Sequence, residues 1–311
     1  MADHRVLATG LRFPEGPVWL EDGSVALVEI ERGTVTIVAP DGAVRVLAET
    51  GGGPNGLAVG PDGNYYVCNN GGFTWLNLNG QLRPGPQPPN YSGGRIERVD
   101  AKTGAVTRLY DECNGHKLRG PNDIVFDTHG GFYFTDLGKG RARDMDLGGV
   151  YYAKADGSSI VELAYPLLTP NGIGLSPDGK VVYVAETRTA RVWAFDLEAP
   201  GVAKKHPAPA PHGGRIIAGL GGFQMFDSLK VDAAGNICVA TLVTGAITVI
   251  SPEGRVLRQH MTGDPMTTNI AFGGADQKTA YLTLSGPGEL VAMDWTGPDW
   301  GTPGLRLNCV I

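Results

Sequence analysis

Six stretches of this chain repeat one pattern, and no other feature narrows the fold so far. They read FPEGPVWLEDGSVALVEI from Phe13, PNGLAVGPDGNYYVCNN from Pro54, PNDIVFDTHGGFYFTD from Pro121, PNGIGLSPDGKVVYVAE from Pro170, FDSLKVDAAGNICVAT from Phe226 and TTNIAFGGADQKTAYLT from Thr267. Each is a polar anchor, a short apolar strand, a turn and a second apolar strand. In the second and fourth copies the turn is Pro-Asp-Gly, where proline presets φ, aspartate caps the turn and glycine accepts positive φ. Every copy is therefore predicted to be a β-hairpin.

The anchors stand at Glu15, Asn55, Asn122, Asn171, Asp227 and Thr268, separated by 40, 67, 49, 56 and 41 residues. A four-stranded propeller blade takes roughly 40–50 residues, so each step matches one hairpin plus two outer strands, with insertions in the longer steps. Outer strands are visible between the hairpins: TVTIVAP with AVRVLAE, RIERVD with AVTRLY, GVYYAKA with IVELAY, ARVWAFD, and AITVIS with RVLRQH. The expected fold is all-β, a six-bladed β-propeller occupying residues 1–311 as one domain. The tail from Leu290, which includes LVAMDW, is expected to pair with the N-terminal strand and close the ring, hiding sheet edges. Composition agrees, because 47 glycines and 22 prolines are spread along the chain, as many short strands with tight connections require.

Several functions are set aside by the same residues. The chain is 42% hydrophobic and 19% charged, enough apolar content for a core. Its formal charge is −6 and it holds no Lys/Arg run, which excludes a phosphate-backbone partner. MADHRVLATG lacks the apolar stretch of a secretory signal and no later segment approaches a membrane span. The expectation is a cytoplasmic protein with a small-molecule substrate, no nucleic acid, no membrane and no obligate protein partner. Cys68, Cys113, Cys238 and Cys309 form no C-x-x-C pair, so neither a zinc knuckle nor a redox motif is indicated. Cys68 and Cys238 lie in apolar strands and read as buried structural thiols.

Repetition has a chemical consequence. The innermost strands of a propeller run side by side around its axis, so the six anchors should face one another at one level of the channel. All six carry oxygen and two are carboxylates. Hard oxygen ligands without thiolate or imidazole suit Ca²⁺, Mg²⁺ or Mn²⁺ better than a structural Zn²⁺. Any single anchor could equally be a turn residue, and the whole ring a polar lining for channel water. Two carboxylates mixed with amides favour a divalent metal at the channel mouth over a uniform turn residue.

FPEGPVW, PNGLAV before PDG, RGPNDIVFD with YFTD, TPNGIGLSPDGK with YVAE, Asp227-Ser228 before LKVDAAGNICVA, and TTNIAFGG resemble, in order and from about residue 11 to 285, the gluconolactonase/regucalcin (senescence marker protein, SMP-30-like) family. The resemblance implies a six-bladed propeller hydrolase with one catalytic divalent cation, Ca²⁺ first, with Zn²⁺, Mg²⁺ and Mn²⁺ left open. Position by position it implies Glu15, Asn171 and Asp227 as metal ligands, with Asn122 touching metal or substrate. Asp123 resembles a position given acid–base work in some members, so Asp227 or Asp123 would orient or deprotonate water. Asn122, Asn55 and Arg119 would position the substrate; Arg119 precedes Asn122 by three residues, whereas animal sugar-lactonases place an arginine two residues before. The implied reaction is a lactonase's: Lewis-acid activation of carbonyl and water to open a sugar lactone or similar cyclic ester. Two alternatives stand beside it: an organophosphate-type hydrolase on the same site, as in the related squid-type diisopropylfluorophosphatase, and a non-catalytic ligand- or protein-binding propeller with a structural calcium. No G-x-S-x-G elbow supports serine chemistry.

Two insertions are expected near the channel mouth. Residues 73–95, FTWLNLNGQLRPGPQPPNYSGGR, include Trp75 and Tyr91 and would cover the mouth. Residues 197–222 would supply another wall, with His206 and His212 solvated rather than ligating.

Overall fold

Short β-branched and aromatic runs between Gly- and Pro-containing turns leave no segment long enough for a helix of the usual length, and the computed structural model is all strand in its regular elements. It describes residues 4–207, 209–295 and Gly304. Five antiparallel sheets follow the chain from the axis outward. Blade 1 comprises Pro14–Trp19, Val25–Glu29, Thr34–Val38 and Val44–Glu49, and blade 2 Pro54–Val59, Tyr65–Asn69, Arg95–Val99 and Val106–Tyr110. Blade 3 comprises Pro121–Phe126, Gly131–Asp136, Gly148–Lys154 and Ile160–Leu167. Blade 4 uses Pro170–Leu175, Val181–Glu186, Arg191–Ala199 and Arg215–Gly219, and blade 5 Met225–Val231, Ile237–Leu242, Ala246–Ile250 and Val256–Met261.

Blade 6 closes the ring. Its strands Thr267–Gly273, Thr279–Leu284 and Glu289–Asp294 take Arg5–Ala8 from the N-terminus as the outermost strand, with Arg5 opposite Ala292 and Val6 opposite Val291. The expected pairing of LVAMDW with the N-terminal strand is thus present; Cys309 and most of the remaining tail lie outside the described residues. First strands of successive blades pack against one another around the axis, the last against the first. The six-bladed propeller read from the repeats is the architecture found.

Six apolar clusters, one at each blade-to-blade interface, hold the ring together. Between blades 2 and 3, Tyr66 meets Phe126 edge to face at 4.9 Å and Phe132 packs on both. Aromatic pairs of this kind add about 0.5–1.5 kcal/mol beyond the area they bury. Cys68 and Cys238 are fully buried free thiols in this packing, as expected. No helix among the described residues is long and apolar enough to cross a membrane.

One expectation is corrected here. Residues 197–222 are not one loop: Arg215–Gly219 is an outer strand of blade 4, paired with Arg191–Ala199, with Val202–Ala203 as a short addition. His212 is buried against Trp193 and Phe195 rather than solvated, while His206 pairs with Asp196 at 2.6 Å. The strand RIIAG is five residues long and flanked by Pro, Gly and His, too weak a signal to stand out.

Candidate functional site

The same irregularity occurs at the head of all six inner strands. Pairing with the second strand slips between Glu15 and Val18, Pro54 and Gly56, Pro121 and Ile124, Pro170 and Ile173, Phe226 and Leu229, and Thr267 and Asn269. Such a bulge leaves a residue outside the ladder and re-aims its side chain. Five anchors lie inside these bulges and Glu15, still paired with Val28, directly precedes its own; all are buried, with Glu15, Asn55, Asn122, Asn171, Asp227 and Thr268 each at most 8% exposed. Sequence position alone could order the anchors; the bulges are what turn them toward the axis.

The residue after each anchor decides how near the inner strands come. In blades 1, 2 and 4 it is glycine. A Cβ on Gly56 would stand 2.4 Å from the Asn122 carbonyl oxygen, and one on Gly172 would stand 2.5 Å from the Leu229 nitrogen. Only glycine allows that backbone approach. In blades 3, 5 and 6 the same place holds Asp123, Ser228 and Asn269, all fully buried.

These second-position side chains brace the ring. Asn269 donates from Nδ2 to Glu15 Oε2 at 2.7 Å, and the Gly16 N–H reaches the same oxygen at 2.8 Å. Asp123 accepts from the N–H of Ile124 at 2.8 Å and of Ile173 at 3.2 Å, and lies 3.4 Å from Lys230 Nζ. Ser228 Oγ lies 3.5 Å from Asn171 Oδ1. Thr135 accepts the Asp123 N–H and donates to the Asn171 carbonyl at 2.5 Å, joining blades 3 and 4. Asn269, Lys230 and Thr135 are absent from the sequence-derived set. Asn269 had a signal, since TTNI aligned on PNDI puts it in register with Asp123; Lys230 and Thr135 had none.

Charge is crowded at this end of the channel. Burial pushes the Glu15 carboxyl up to about 7, against the stabilising bonds from Asn269 and Gly16, and the nearby Asp123 adds to the rise. Asp227 is raised well above the ordinary carboxylate range, first by burial, then by Glu15 and Asp123, with Asn171 opposing. Three carboxylates thus share a buried volume with one ammonium, Lys230, at their edge. Asn122 adds a second shortage, for its Oδ1 is buried with no hydrogen-bond partner. Both shortages are of positive charge or donors, which is what a cation supplies. Among the described residues no three His, Cys, Asp or Glu side chains meet at ligand spacing. A cation here would depend on the amide oxygens of Asn122 and Asn171 as well as on Glu15 and Asp227, and those oxygen donors fit a hard divalent ion.

The 73–95 insertion carries a two-stranded sheet of its own. Its hairpin, Trp75–Leu78 with Gln81–Pro84, sets the Trp75 ring at a tilt against Phe13, two residues before Glu15, at 5.2 Å. Tyr91 donates its hydroxyl to the Arg119 carbonyl at 2.5 Å. The Arg119 side chain itself is exposed and makes no hydrogen bond or ion pair among the described residues. It lines an outer cavity of about 600 Å³ with Asn114, Asp146 and Tyr165 rather than meeting the anchors. The extra residue before Asn122 accounts for this: the N–H groups of Arg119 and Gly120 both bond Asp136, at 2.6 Å each, which fixes the turn with Arg119 on the rim.

The opposite end of the channel is a different environment. A cavity of about 370 Å³ is lined there by Val18, Leu57, Ile124, Phe126, Leu175 and Phe272 among others, with Lys230 at its inner edge. Its walls are mainly apolar, in contrast to the anchor end.

Fold and site together define a closed six-bladed propeller with a buried carboxylate–amide cluster at one mouth of its channel. Residues 13–286 match the family described as SMP-30/Gluconolactonase/LRE-like region, and the chain belongs to that family. It is 26% identical over 307 residues to the gluconolactonase of Zymomonas mobilis, covering 90% of this chain and 78% of that protein. It is 30% identical over 247 residues to lactonase drp35 of Staphylococcus saprophyticus, covering 79% and 68%. A crystal structure described as a calcium-binding protein, regucalcin, from Agrobacterium tumefaciens superposes with a TM-score of 0.73 at 20% identity, covering 94% of this chain and 93% of that one.

Proposed function

We propose that this chain opens a lactone, a sugar lactone or similar cyclic ester, with one divalent cation held by Glu15, Asn122, Asn171 and Asp227, calcium being the first candidate. The observation that carries this reading is the partnerless, buried Asn122 Oδ1 beside mutually repelling carboxylates. The names of the Zymomonas gluconolactonase and the Staphylococcus lactonase support a lactone as the electrophile, and the calcium-binding description of the Agrobacterium regucalcin supports calcium.

A divalent cation bound there supplies Lewis acidity toward the ester carbonyl and makes water more acidic. The chain's residues do the rest. Asn122 and Asn55 orient the small-molecule substrate by hydrogen bonds, holding the scissile bond toward Asp227. Asp227 accepts the proton of the attacking water on a carboxylate oxygen and returns it to the ring oxygen that leaves as an alcohol. Asn269 on Glu15, and Lys230 on Asp123, keep the flanking carboxylates in fixed orientations. Arg119, on the rim, is left to substituents that project out of the channel. The hairpin under Trp75 shields the mouth from bulk water.

Turnover of five- and six-membered lactones by wild type and by Asp227→Ala, before and after chelation, tests this. Chelation and the substitution should each abolish ring opening while β-type circular dichroism persists, and calcium should restore only wild type. Turnover by Asp227→Ala across the whole panel would overturn it. Chelation that unfolds a protein inactive on every lactone would instead assign the ion a structural role.

A further inference from the structure

Lys139 is 1% exposed and lies off the anchor ring, and nothing in the proposed reaction uses it. Its ammonium donates to Asn70 Oδ1 at 2.9 Å and to the Gly72 carbonyl at 2.7 Å, with the Phe73 ring face 3.8 Å away. No carboxylate pairs with it among the described residues. Asp136 is taken by the backbone of Arg119, Gly120 and Gly138, and Asp146 by Arg141. A buried ammonium held by an amide, a carbonyl and the faces of Phe73 and, at 5.6 Å, Tyr91, with no carboxylate, is expensive, and burial lowers its pKa to about 7. Fastening the hairpin would be done at less cost by an apolar side chain, which points to a use for the donor itself.

That use follows from hydrogen-bond polarity. An ammonium and a backbone N–H can only donate, and Asn70 Oδ1 receives both, from Lys139 and from the Gly72 N–H at 2.8 Å. The Asn70 amide therefore has one allowed orientation, with Nδ2 directed the other way. There it donates to Asn55 Oδ1 at 3.1 Å. The Asn55 oxygen is thereby occupied, and its own Nδ2 bonds no described group and is left to the channel.

We propose that Lys139 is a positioning residue: through Asn70 it locks the Asn55 amide so that the channel mouth is offered N–H donors and not a carbonyl. The inference rests on the lactone-hydrolase reading for its kinetics, and it adds a substrate requirement. The group that meets Asn55 must be a hydrogen-bond acceptor, such as a lactone oxygen or a ring hydroxyl oxygen. Without Lys139 the Asn70 oxygen keeps only the Gly72 N–H as a donor, so the hold on the amide's orientation, and on Asn55 through it, is weakened.

The test is a double-mutant cycle of Lys139→Met and Asn55→Ala, with Asn70→Ala as a second way to cut the same link while Lys139 stays in place. In the wild-type background Lys139→Met and Asn70→Ala should each raise KM about tenfold with a smaller change in kcat, the size expected when one substrate-orienting hydrogen bond is lost. In the Asn55→Ala background neither should add anything. Lys139 acting only as a fastener of the hairpin would give effects that add in full to Asn55→Ala, and that result overturns the proposal. A second readout needs no turnover: with ¹⁵N-asparagine labelling, the Asn55 side-chain amide signal, identified by its loss in Asn55→Ala, should move in Lys139→Met and Asn70→Ala. Should no lactone be hydrolysed even by wild type, the lactone reading falls and this signal alone decides; an unmoved signal sinks the role assigned to Lys139.

Discussion

The two ends of the channel are built from the same six strands and differ in almost every physical respect. At the anchor end each inner strand is bulged, and the side chains turned inward are carboxylates, amides and a hydroxyl. Two to four residues further on the strands are back in register, and the side chains lining the cavity are Val18, Leu57, Ile124, Leu175 and Phe272. The regular end is close to what packing alone would choose, since in-register strands presenting aliphatic side chains bury apolar area with no polar group left over. The bulged end carries buried like charges and an orphan oxygen, which oppose folding. A difference of this kind within one strand set separates the part of the molecule selected for its chemistry from the part selected for its stability.

Substitutions can break or sharpen that contrast. The largest effect is expected from Asp227→Ala at the bulged end: a loss of lactone turnover of at least about a thousandfold in kcat/KM, with circular dichroism unchanged. Asp227→Asn should separate the two roles of the carboxylate further. In chelated protein it should raise the melting temperature, because a carboxyl whose ionised form is disfavoured by burial and by Glu15 is removed, and in calcium it should lower it, because a ligand is lost; equal shifts in both conditions would contradict a cation site. At the regular end Phe126→Ala should cost about 3–5 kcal/mol in urea unfolding, while kcat/KM of the folded protein stays within about twofold of wild type. Gly56→Ala tests the border between the ends. Its Cβ must displace the Asn122 backbone, so a stability loss of about 1–3 kcal/mol should come with a clear fall in activity; stability loss alone would uncouple Asn122 from the reaction.

The smallest effect is expected far from either end. Hydrogen bonding to Arg215, with a further bond from His206, holds the half-exposed Asp196 down at about 2. Because the folded pKa is the lower one, its contribution is present above the ordinary aspartate range and is lost as pH falls toward 2. Asp196→Asn should therefore lower the melting temperature slightly at pH 7 and not at pH 2. A change that was the same at both pH values would remove the ion pair from the account.

Much of the propeller was legible because its physics is local and repeated. Six copies of anchor, strand, turn and strand specify hairpins through turn chemistry and alternation, and their spacing leaves room for one blade each. The fourth strand of blade 4 was missed for the converse reason: RIIAG is short, and its partner Arg191–Ala199 lies across a Pro-, Gly- and His-rich segment. In the site, the ring of anchors followed from register between repeats, and Asn269 could have been read from the same register. Lys230, Thr135 and Lys139 could not, because nothing in LKVD, YFTD or LGKG ties those residues to partners in other blades.

What the sequence determined by itself was the count of blades, the closure of the ring by strands from opposite ends of the chain, and the identity of the oxygen-bearing residues at one level of the axis. These depend on periodicity, which a linear chain displays. Only the tertiary structure decided which way those residues face, that Arg119 stands on the rim, and which of the buried polar groups brace the site. Those outcomes depend on six bulges, on glycines that let backbones approach to within contact of a neighbour, and on hydrogen bonds spanning dozens of residues. Such distances exist only after the ring has closed.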